Sequence, residues 1–529
     1  MKKRNIILSV LFAAVGLTSC DMEKYPYNAV EESQYMTTAN DFKSARIGLY
    51  SPYRTLTSGG HVLTPEFQCA DFHATASYSN TYGNQYRWDF QSSDGNIEAI
   101  WGNFYTLIAR SNYYIDSYQK LVNGEIPGIS EADRALIDCW AGEAYFSRAF
   151  AYYNLATFFC EAYDPSTAAE VYGLPLQLTY VSNATDNSKY PGRSSLQATF
   201  EQINKDLTEA ERLVNENKTV NSDTQAKYNY ISQDLVTALR ARVALWTKDY
   251  DTAISASTGL ISSNKYPLIN DGEAFRAMWV TDYGTEVIWQ IYTAAPDELC
   301  STNGTMFWGQ YKNGDPQVMD FIPSQSLIDL YTDGDKDIRF TSFFAPYHLA
   351  LSNGSEADVY VFDKYPGNPD IYSQTIVDNH YINKPKPFRI AEQYLRAGFG
   401  HGFRHHRLDG AASADRHKGR RFDRAVSGMQ TTAARFALFF QNFEFQCHIF
   451  LSILLKIGFN MSSKTHKGKD FYIDNSLFAP IIGTTKTEGS RFYANAINGF
   501  EQRSARRFEK GRNDRHVQHR RLVPLRVAF

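Results

Sequence analysis

The chain has 529 residues, six cysteines and a formal net charge of −3, and phenylalanine, tyrosine and tryptophan make up 15% of it. This length predicts two to four domains and a core large enough to be stable without disulfide bonds. The cysteines, at positions 20, 69, 139, 160, 300 and 447, form no Cys-x-x-Cys pair. Their scatter excludes both a disulfide framework and a zinc site of the usual spacing.

The first twenty residues have the three parts of a secretory signal peptide. Lys2, Lys3 and Arg4 form the charged start, and residues 6–17 form an apolar stretch that is too short to span a bilayer. The stretch ends in Leu-Thr-Ser-Cys, which resembles the lipobox of bacterial lipoproteins. We therefore predict that Cys20 carries the lipid and becomes the mature N-terminus, so that acyl chains tether the protein to a membrane.

The periodicity of residues 21–397 is mostly helical. Residues 41–55, 97–120 and 131–159 are each predicted to form a helix, and the last is apolar on two sides, which predicts packing on both. Ser194-Ser195 is predicted to cap another helix. Residues 233–247 and 251–262 indicate a helical hairpin whose joint resembles the turn of a tetratricopeptide repeat.

Three long stretches lack a helical period, at residues 57–96, 266–320 and 344–387, and the second contains a strand-like run at 286–292. Loops of this length inside a compact protein are generally functional. No HExxH, GxSxG or P-loop motif occurs in the sequence, and no carboxylate spacing marks an acid/base pair. We interpret Asp333, Asp335 and Asp337 as a solvated turn, because the glycine and glutamate of a calcium loop are missing.

The composition changes abruptly at about residue 397. Residues 398–529 contain 23 Lys and Arg against 10 Asp and Glu, and all seven tryptophans lie before residue 398. The apolar run at 436–459 is interrupted by polar residues and is a poor membrane span. Three interpretations are open: a basic domain that binds nucleic acid or anionic lipid, a disordered basic tail, or a translation out of frame. A nucleic-acid partner fits poorly with export to a membrane surface.

Several segments of residues 1–397 resemble the SusD/RagB family of lipoproteins. Two of them are Ala-Gly-Glu-Ala-Tyr-Phe-Ser-Arg-Ala-Phe-Ala-Tyr at 141–152 and Lys-Pro-Phe-Arg-Ile-Ala-Glu-Gln-Tyr-Leu-Arg-Ala at 386–397. The others, in matching order, are the lipobox with the acidic stretch 21–27 and the segments 99–105, 172–176, 323–331 and 337–339. Because the likeness stops at Ala397, we interpret 1–20 as signal peptide, 21–397 as a binding body whose C-terminal part is incomplete, and 398–529 as out-of-frame or non-native sequence.

The resemblance implies a mainly α fold of tetratricopeptide-like helical hairpins with long irregular loops and a few short strands. It further implies a lipid-anchored protein on the outer face of the outer membrane that binds oligosaccharide or polysaccharide and hands it to a TonB-dependent transporter. Such proteins are not enzymes, and the family suggests neither a cofactor nor a metal. A relative that captures peptides, a lipid-anchored glycosidase and a protein-binding repeat scaffold remain as alternatives.

Sugar binding needs exposed aromatic rings beside fixed polar side chains. The first long loop offers both kinds of residue, and the second does so around position 308. The family's contact residues vary too much to be transferred singly, so we take the candidates from these two loops. They are Trp88 and Trp308 as stacking platforms, with Tyr82, Tyr311 and Asp71 beside them.

Overall fold

A computed structural model describes residues 36–409, apart from 70, 77, 79, 81, 92, 182–189, 216–225, 301–308, 313–314, 332–333, 351–352 and 372–381; for 309–319 and 401–409 it describes the backbone alone. The predicted lipidation site Cys20 and the platform Trp308 lie outside these residues. The helices are α1 Ala39–Tyr50, α2 Tyr53–Leu56, α3 Gly60–Glu66, α4 Gly83–Tyr86, α5 Gly95–Val122, α6 Glu131–Phe159, α7 Leu196–Leu213, α8 Gln233–Trp246, α9 Tyr250–Ser262, α10 Gly272–Val280, α11 Gln325–Ile328, α12 Phe340–Phe343 and α13 Ile390–Asp409.

The long helices begin where the sequence supplies a cap. The side chains of Asp94, Ser130 and Ser195 each accept a backbone N–H at the start of α5, α6 and α7, which satisfies donors that have no partner inside the helix. Helix α6 spans the predicted residues 131–159, and α5 extends two residues beyond the prediction at each end. The predicted helix at 41–55 is divided into α1 and α2.

Helix α6 is the centre of the larger of two main hydrophobic clusters. It packs against α5 on one side and α7 on another, so that it is buried around most of its circumference from Ile137 to Thr157. This confirms that a helix with two apolar stripes is covered on both. The smaller cluster forms around Phe67, Trp279 and Phe321 and lies beneath the long loops.

Helices α8 and α9 form the predicted tetratricopeptide-like hairpin. Ala244 and Ala253 are buried where the two helices meet, and small residues there allow the backbones to approach. The turn uses Lys248 in the left-handed region, at φ 64°, followed by Asp249, whose side chain caps α9. Helix α13 packs along α9 and continues the antiparallel stacking of helices.

The described strands form antiparallel pairs, which are β1 Phe72–Ala74 with β7 Phe321–Pro323, β2 Tyr172–Pro175 with β3 Arg193–Ser195, β4 Val287–Trp289 with β10 Phe388–Arg389, β5 Gly309–Lys312 with β6 Asp315–Met319, and β8 Phe344–Ala350 with β9 Glu356–Phe362. The strand predicted at 286–292 is confirmed for residues 287–289, as β4. The architecture is mainly helical with a few short strands, as expected.

Helix α13 crosses the predicted domain boundary at residue 397. Its first part carries Glu392, which receives bonds from Arg242 and Arg396 in a buried cluster. Beyond the boundary, Phe399 packs against both the Phe67 cluster and the Ala244 contact, and a Cβ added to Gly400 would lie 2.7 Å from the Ile254 side chain. The helix therefore remains packed up to residue 400, while residues 410–529 of the predicted tail lie outside the described part.

The described helices include none that combines the length and the apolar character needed to cross a bilayer.

Candidate functional site

The two long loops named in the sequence analysis meet at one place, through the pairing of β1 with β7. Phe72 lies opposite Pro323 and Ala74 opposite Phe321, and the N–H of Thr75 continues the ladder to the carbonyl of Asp320 at 2.9 Å. The hairpin of β5 and β6 leads into β7 through Asp320 alone. The part of the first loop from β1 to α4 and the segment from β5 to β7 thus form a single structural unit, which we call the loop unit, although they are about 250 residues apart in the chain.

A floor of packed aromatic rings supports this unit. The ring centroid of Phe67 lies 4.8 Å from that of Phe72 and 4.6 Å from that of Phe321. Tyr78 and Tyr86 contact the ring of Phe321 at 5.1 and 5.3 Å. Since aromatic contacts of this kind are directional as well as apolar, the floor fixes the loop above it.

Tyr82, one of the predicted contact residues, lies partly within this floor. Its ring stacks on Phe67 with centroids 5.1 Å apart, and a Cβ on Gly60 would come 2.9 Å from its hydroxyl oxygen. Burial raises the pKa of Tyr82, so the hydroxyl stays protonated and can donate a hydrogen bond at neutral pH. The side chain is half-buried, so one part of it packs the loop and the rest faces solvent.

An exposed group of polar side chains lies beside the floor. The Arg87 guanidinium donates from Nη1 to Asn80 Oδ1 at 2.6 Å and to Tyr78 Oη at 3.5 Å, and from Nη2 to Asn84 Oδ1 at 3.5 Å. A Cβ on Gly83 would lie 2.7 Å from Tyr78 Oη and closer still to Asn80 Oδ1, so a larger residue there would displace these side chains. We call Asn80, Asn84 and Arg87 the polar clamp; it holds amide and guanidinium groups in a fixed arrangement on the surface.

Trp88 follows the polar clamp immediately and projects into solvent. It is 65% exposed, and its only ring contact among the described residues is an edge-on approach to Phe90, with centroids 6.5 Å apart. The backbone at Trp88 has φ 59°, and Asn80 and Tyr82 also have positive φ, at 66° and 50°. A non-glycine residue in this region is strained by ~1–2 kcal/mol, and such strain clusters at ligand-binding positions.

The turn that holds Trp88 is defined by backbone bonds. Helix α4 ends at Tyr86, the N–H of Trp88 donates to the Gln85 carbonyl at 3.1 Å, and the N–H of Asp89 donates to the Asn84 carbonyl at 2.8 Å. The Gln85 side chain is buried and donates to Asp94, the cap of α5, at 2.6 Å. These bonds attach the turn to the N-cap of a long helix, so the exposed indole is held on a rigid support.

Asp71, the third candidate of the first loop, is placed differently. Asp71 is only 6% exposed and directly precedes β1. Its backbone carbonyl accepts a hydrogen bond from the N–H of Ser324 at 2.8 Å. Asp71 thus extends the β1–β7 ladder by one hydrogen bond and is buried, unlike the exposed Trp88. Its proposed contact with ligand stays a prediction.

The second loop contributes a backbone hairpin. Tyr311 lies in β5 opposite Pro316 of β6, and β6 is followed at once by β7, whose Phe321 touches Tyr78 and Tyr86. The hairpin that carries Tyr311 is therefore connected to the floor under the first loop. Trp308 precedes β5 by one residue and lies outside the described residues, so its role and that of Tyr311 stay predictions.

Carboxyl groups with perturbed pKa values occur elsewhere in the described chain, and most of them have structural partners. Burial raises the pKa of Glu143, Asp206 and Glu286, against the opposing effect of an arginine bonded to each. Those arginines are Arg46, Arg148 and Arg389, at 2.6–2.8 Å. None of these pairs lies in the loop unit, and no three His, Cys, Asp or Glu side chains of the described residues are grouped so as to hold a metal ion.

Two features of the site were not found from the sequence. Phe67 and Phe321 form the floor, yet they occur in stretches without a helical or strand period, and only their spatial pairing shows their role. The sequence likewise does not reveal that Asn80 of the polar clamp packs against Gly83. The dense run of Tyr, Asn, Gly and Arg at 78–88 was the feature of the sequence that indicated a binding loop here.

Comparison with known proteins gives consistent matches. Residues 31–245 match the model of the SusD-like family described as starch-binding and associating with the outer membrane. A curated SusD-like protein of Formosa agariphila is 27% identical over 289 residues, which are 53% of this chain and 50% of that protein. The chain thus matches about half the length of this curated relative.

Solved structures share the fold. A SusD superfamily protein of Bacteroides thetaiotaomicron is 20% identical with a TM-score of 0.55, and the match covers 69% of this chain and 76% of that one. A SusD-like carbohydrate-binding protein of Bacteroides vulgatus is 18% identical with a TM-score of 0.52, covering 69% and 72%. At this identity the likeness establishes the architecture.

Proposed function

We propose that the chain is a carbohydrate-binding protein of the SusD superfamily that associates with the outer membrane. Its residues 31–245 match the SusD-like family model, and its fold is that of a solved SusD superfamily protein. It would be tethered through the lipid on Cys20, capture oligosaccharide at the cell surface and deliver it to a TonB-dependent transporter. The family description names starch binding and outer-membrane association, and one structural neighbour is named as carbohydrate-binding. Proteins of this family are generally non-catalytic.

The observation that carries the proposal is the exposed indole of Trp88 beside the polar clamp. A flat ring supplies an apolar surface for the apolar face of a pyranose, and the amides of Asn80 and Asn84 with the guanidinium of Arg87 supply directed donors and acceptors for hydroxyls. The aromatic floor and the α4 turn hold both in place before ligand arrives. Such preorganisation lowers the entropic cost of binding.

Affinity electrophoresis and calorimetry of the full chain against starch, a β-glucan, a xylan and a polyuronate test this function. We expect saturable binding to at least one polysaccharide without release of shorter products. Trp88→Ala is expected to weaken the affinity by about 5- to 150-fold, which corresponds to ~1–3 kcal/mol for a lost stacking platform. Tyr283→Ala is the matched control, because Tyr283 is also an exposed aromatic residue but lies outside the loop unit.

Three outcomes would contradict the proposal. Binding of peptides and of no glycan would favour the peptide-capturing alternative, and release of shortened sugars would favour a lipid-anchored glycosidase. Equal binding by the wild type and Trp88→Ala would remove Trp88 from the site.

The anchor and the transporter are tested separately. Cys20→Ser removes the thiol that accepts the lipid, and we expect the protein to move from the membrane fraction to the soluble fraction. Retention of Cys20→Ser in the membrane would contradict the lipid anchor. Delivery predicts co-purification of the wild type with a TonB-dependent transporter from solubilised outer membranes, and its failure would contradict the transfer step alone.

A further inference from the structure

A second exposed aromatic surface lies outside the loop unit, in residues 172–180, which we call the tethered segment. This segment runs along α5 and α6, and side chains of the two helices bond its backbone. Asp116 Oδ2 accepts the N–H of Tyr180 at 2.7 Å. The backbone carbonyls accept from Tyr105 Oη (Pro175, 2.8 Å), Tyr152 Oη (Gln177, 2.7 Å), Asn112 Nδ2 (Gln177, 2.8 Å; Thr179, 3.2 Å) and Arg148 Nη1 (Leu178, 3.2 Å).

The segment begins with Tyr172, whose side chain is directed to solvent. The residue is 69% exposed although its backbone is paired in β2, opposite Ser195 of β3. The neighbouring Gly173 cannot carry a side chain, because a Cβ would lie 2.7 Å from the Ser195 carbonyl carbon. The strand position is therefore fixed while the phenol ring is left uncovered.

Arg193 lies beside this ring and is itself anchored. Its guanidinium carbon is 5.9 Å from the centroid of Tyr172, within the range of a cation–π contact. Nε donates to the Gly173 carbonyl at 2.7 Å and Nη2 to the Phe159 carbonyl at 3.3 Å. Within the described part of the chain, no carboxylate pairs with Arg193 and no hydrogen bond uses its Nη1. The Nη1 group can therefore donate to a ligand.

We propose that Tyr172 and Arg193 form a second sugar-binding subsite, which rests on the proposed function and extends it. The free face of the Tyr172 ring stacks on a pyranose, and Arg193 Nη1 donates to a ring substituent of that sugar, either a hydroxyl or a carboxylate oxygen. Tyrosine and a rigid guanidinium together provide the amphipathic surface that a sugar needs. The occupant is one sugar unit of a polysaccharide.

Helix α5 carries the points of attachment of both the tethered segment and the Trp88 turn. The turn is attached to Asp94, the N-cap of α5, through Gln85, whereas the tethered segment is attached to Tyr105. At 1.5 Å per residue, these two points of attachment are roughly 16 Å apart along the helix axis. A polysaccharide held at both places gains affinity because its second contact is intramolecular, and a short oligosaccharide that reaches one place does not.

The test compares a polysaccharide with its own di- or trisaccharide, using the full chain and whichever of starch, β-glucan, xylan or polygalacturonate the wild type binds. Tyr172→Ala is expected to weaken binding of the polymer by about tenfold and to leave binding of the short oligosaccharide unchanged. Tyr172→Phe keeps the ring and should retain polymer binding. Tyr283→Ala is the control, since Lys384 lies 5.7 Å from the Tyr283 ring in a similar cation–π contact elsewhere.

The outcomes separate this inference from the proposed function. If Trp88→Ala weakens binding and Tyr172→Ala leaves polymer affinity unchanged, the second subsite is wrong and the proposed function stands. If the wild type binds no glycan, both are refuted. If the wild type prefers polygalacturonate over the neutral polymers and Arg193→Lys loses this preference, Arg193 contacts a carboxylate. If Arg193→Lys loses as much affinity for a neutral polymer, Arg193 contacts a hydroxyl.

Discussion

Trp88 allows binding and stability to be separated, because the residue is both exposed and held at a positive φ. We compare Trp88→Gly with Trp88→Ala. Both variants remove the ring and should lose glycan affinity to the same extent. They differ in the backbone, since glycine adopts φ 59° without steric cost and alanine does not.

The magnitudes follow from the exposed fraction and the conformation. About a third of the residue is covered, so loss of its contacts destabilises both variants by roughly 0.5–1 kcal/mol, a third of the value for a fully buried large apolar side chain. Relief of the left-handed strain favours glycine by ~1–2 kcal/mol, and the greater entropy of glycine in the unfolded chain opposes this by ~0.5–1 kcal/mol. Trp88→Gly should therefore be more stable than Trp88→Ala by about 0.5–1 kcal/mol, although a glycine variant is usually less stable than the alanine variant at the same position.

Urea unfolding of the wild type and both variants measures this difference, with calorimetry on the same preparations for glycan affinity. Trp88→Phe, which retains a ring at the same backbone conformation, controls for the general effect of substitution. If Trp88→Ala is the more stable of the two, the turn is not strained in the way described. If the two variants differ in affinity, the backbone as well as the ring contributes to binding.

Three further predictions concern the polar clamp and the buried charges. Gly83→Ala forces Asn80 away and should weaken glycan binding several-fold while the helical content measured by circular dichroism is retained; unchanged binding would show that the clamp does not contact ligand. Asp282→Asn leaves the buried ammonium of Lys386 without its carboxylate at 2.7 Å and should destabilise the fold by ~3–5 kcal/mol, partly recovered by adding Lys386→Met. Burial opposes ionisation of Glu392, yet its two arginine partners hold its pKa below the ordinary value of 4.5. The ionised carboxylate therefore stabilises the fold above that pH, and this stabilisation is lost as the pH falls through the lower pKa of the folded state. Urea unfolding between about pH 6 and pH 3 should show a weaker pH dependence of stability in Glu392→Gln than in the wild type.

The helical part of the fold follows from the sequence because its signals are local. Helix α6 has a serine cap and two apolar stripes over 29 residues, and its bounds agree with the prediction. The α8–α9 hairpin is marked by small residues at its joint. In contrast, β1 and β7 have three residues each and no alternating pattern, so the pairing that brings the two loops together has no local signal.

The candidate site was predictable in its residue types and less so in its geometry. Trp88 has the exposure expected of a platform, but its sequence neighbours do not reveal the positive φ. Tyr82 and Asp71 are each partly or largely covered, because the aromatic floor beneath them forms from Phe67 and Phe321, which come from distant parts of the chain. Burial in such a loop depends on long-range contacts and has no periodic signature.

Two of the segments that carry the family resemblance, residues 141–152 and 386–397, prove to be parts of the scaffold. Within residues 141–152, Glu143, which is buried, bonds the partly buried Arg46, and Arg148 bonds Asp206 in a fully buried pair. Within residues 386–397, each of the charged side chains at 386, 389, 392 and 396 also takes part in a buried ion pair. A buried pair that loses one partner is costly, so substitution in these segments threatens folding.

The proposed ligand surfaces are under a different constraint. Trp88, the polar clamp and Tyr172 are solvent-exposed, and their side chains can change at little cost to the core, provided that the turns beneath them keep Gly83 and Gly173. The buried ion pairs of residues 141–152 and 386–397 therefore specify the architecture, whereas the proposed choice of sugar falls to exposed side chains such as that of Trp88. For this reason the variants at the exposed side chains of Trp88 and Tyr172, rather than those at the buried ion pairs, are the ones that test ligand binding.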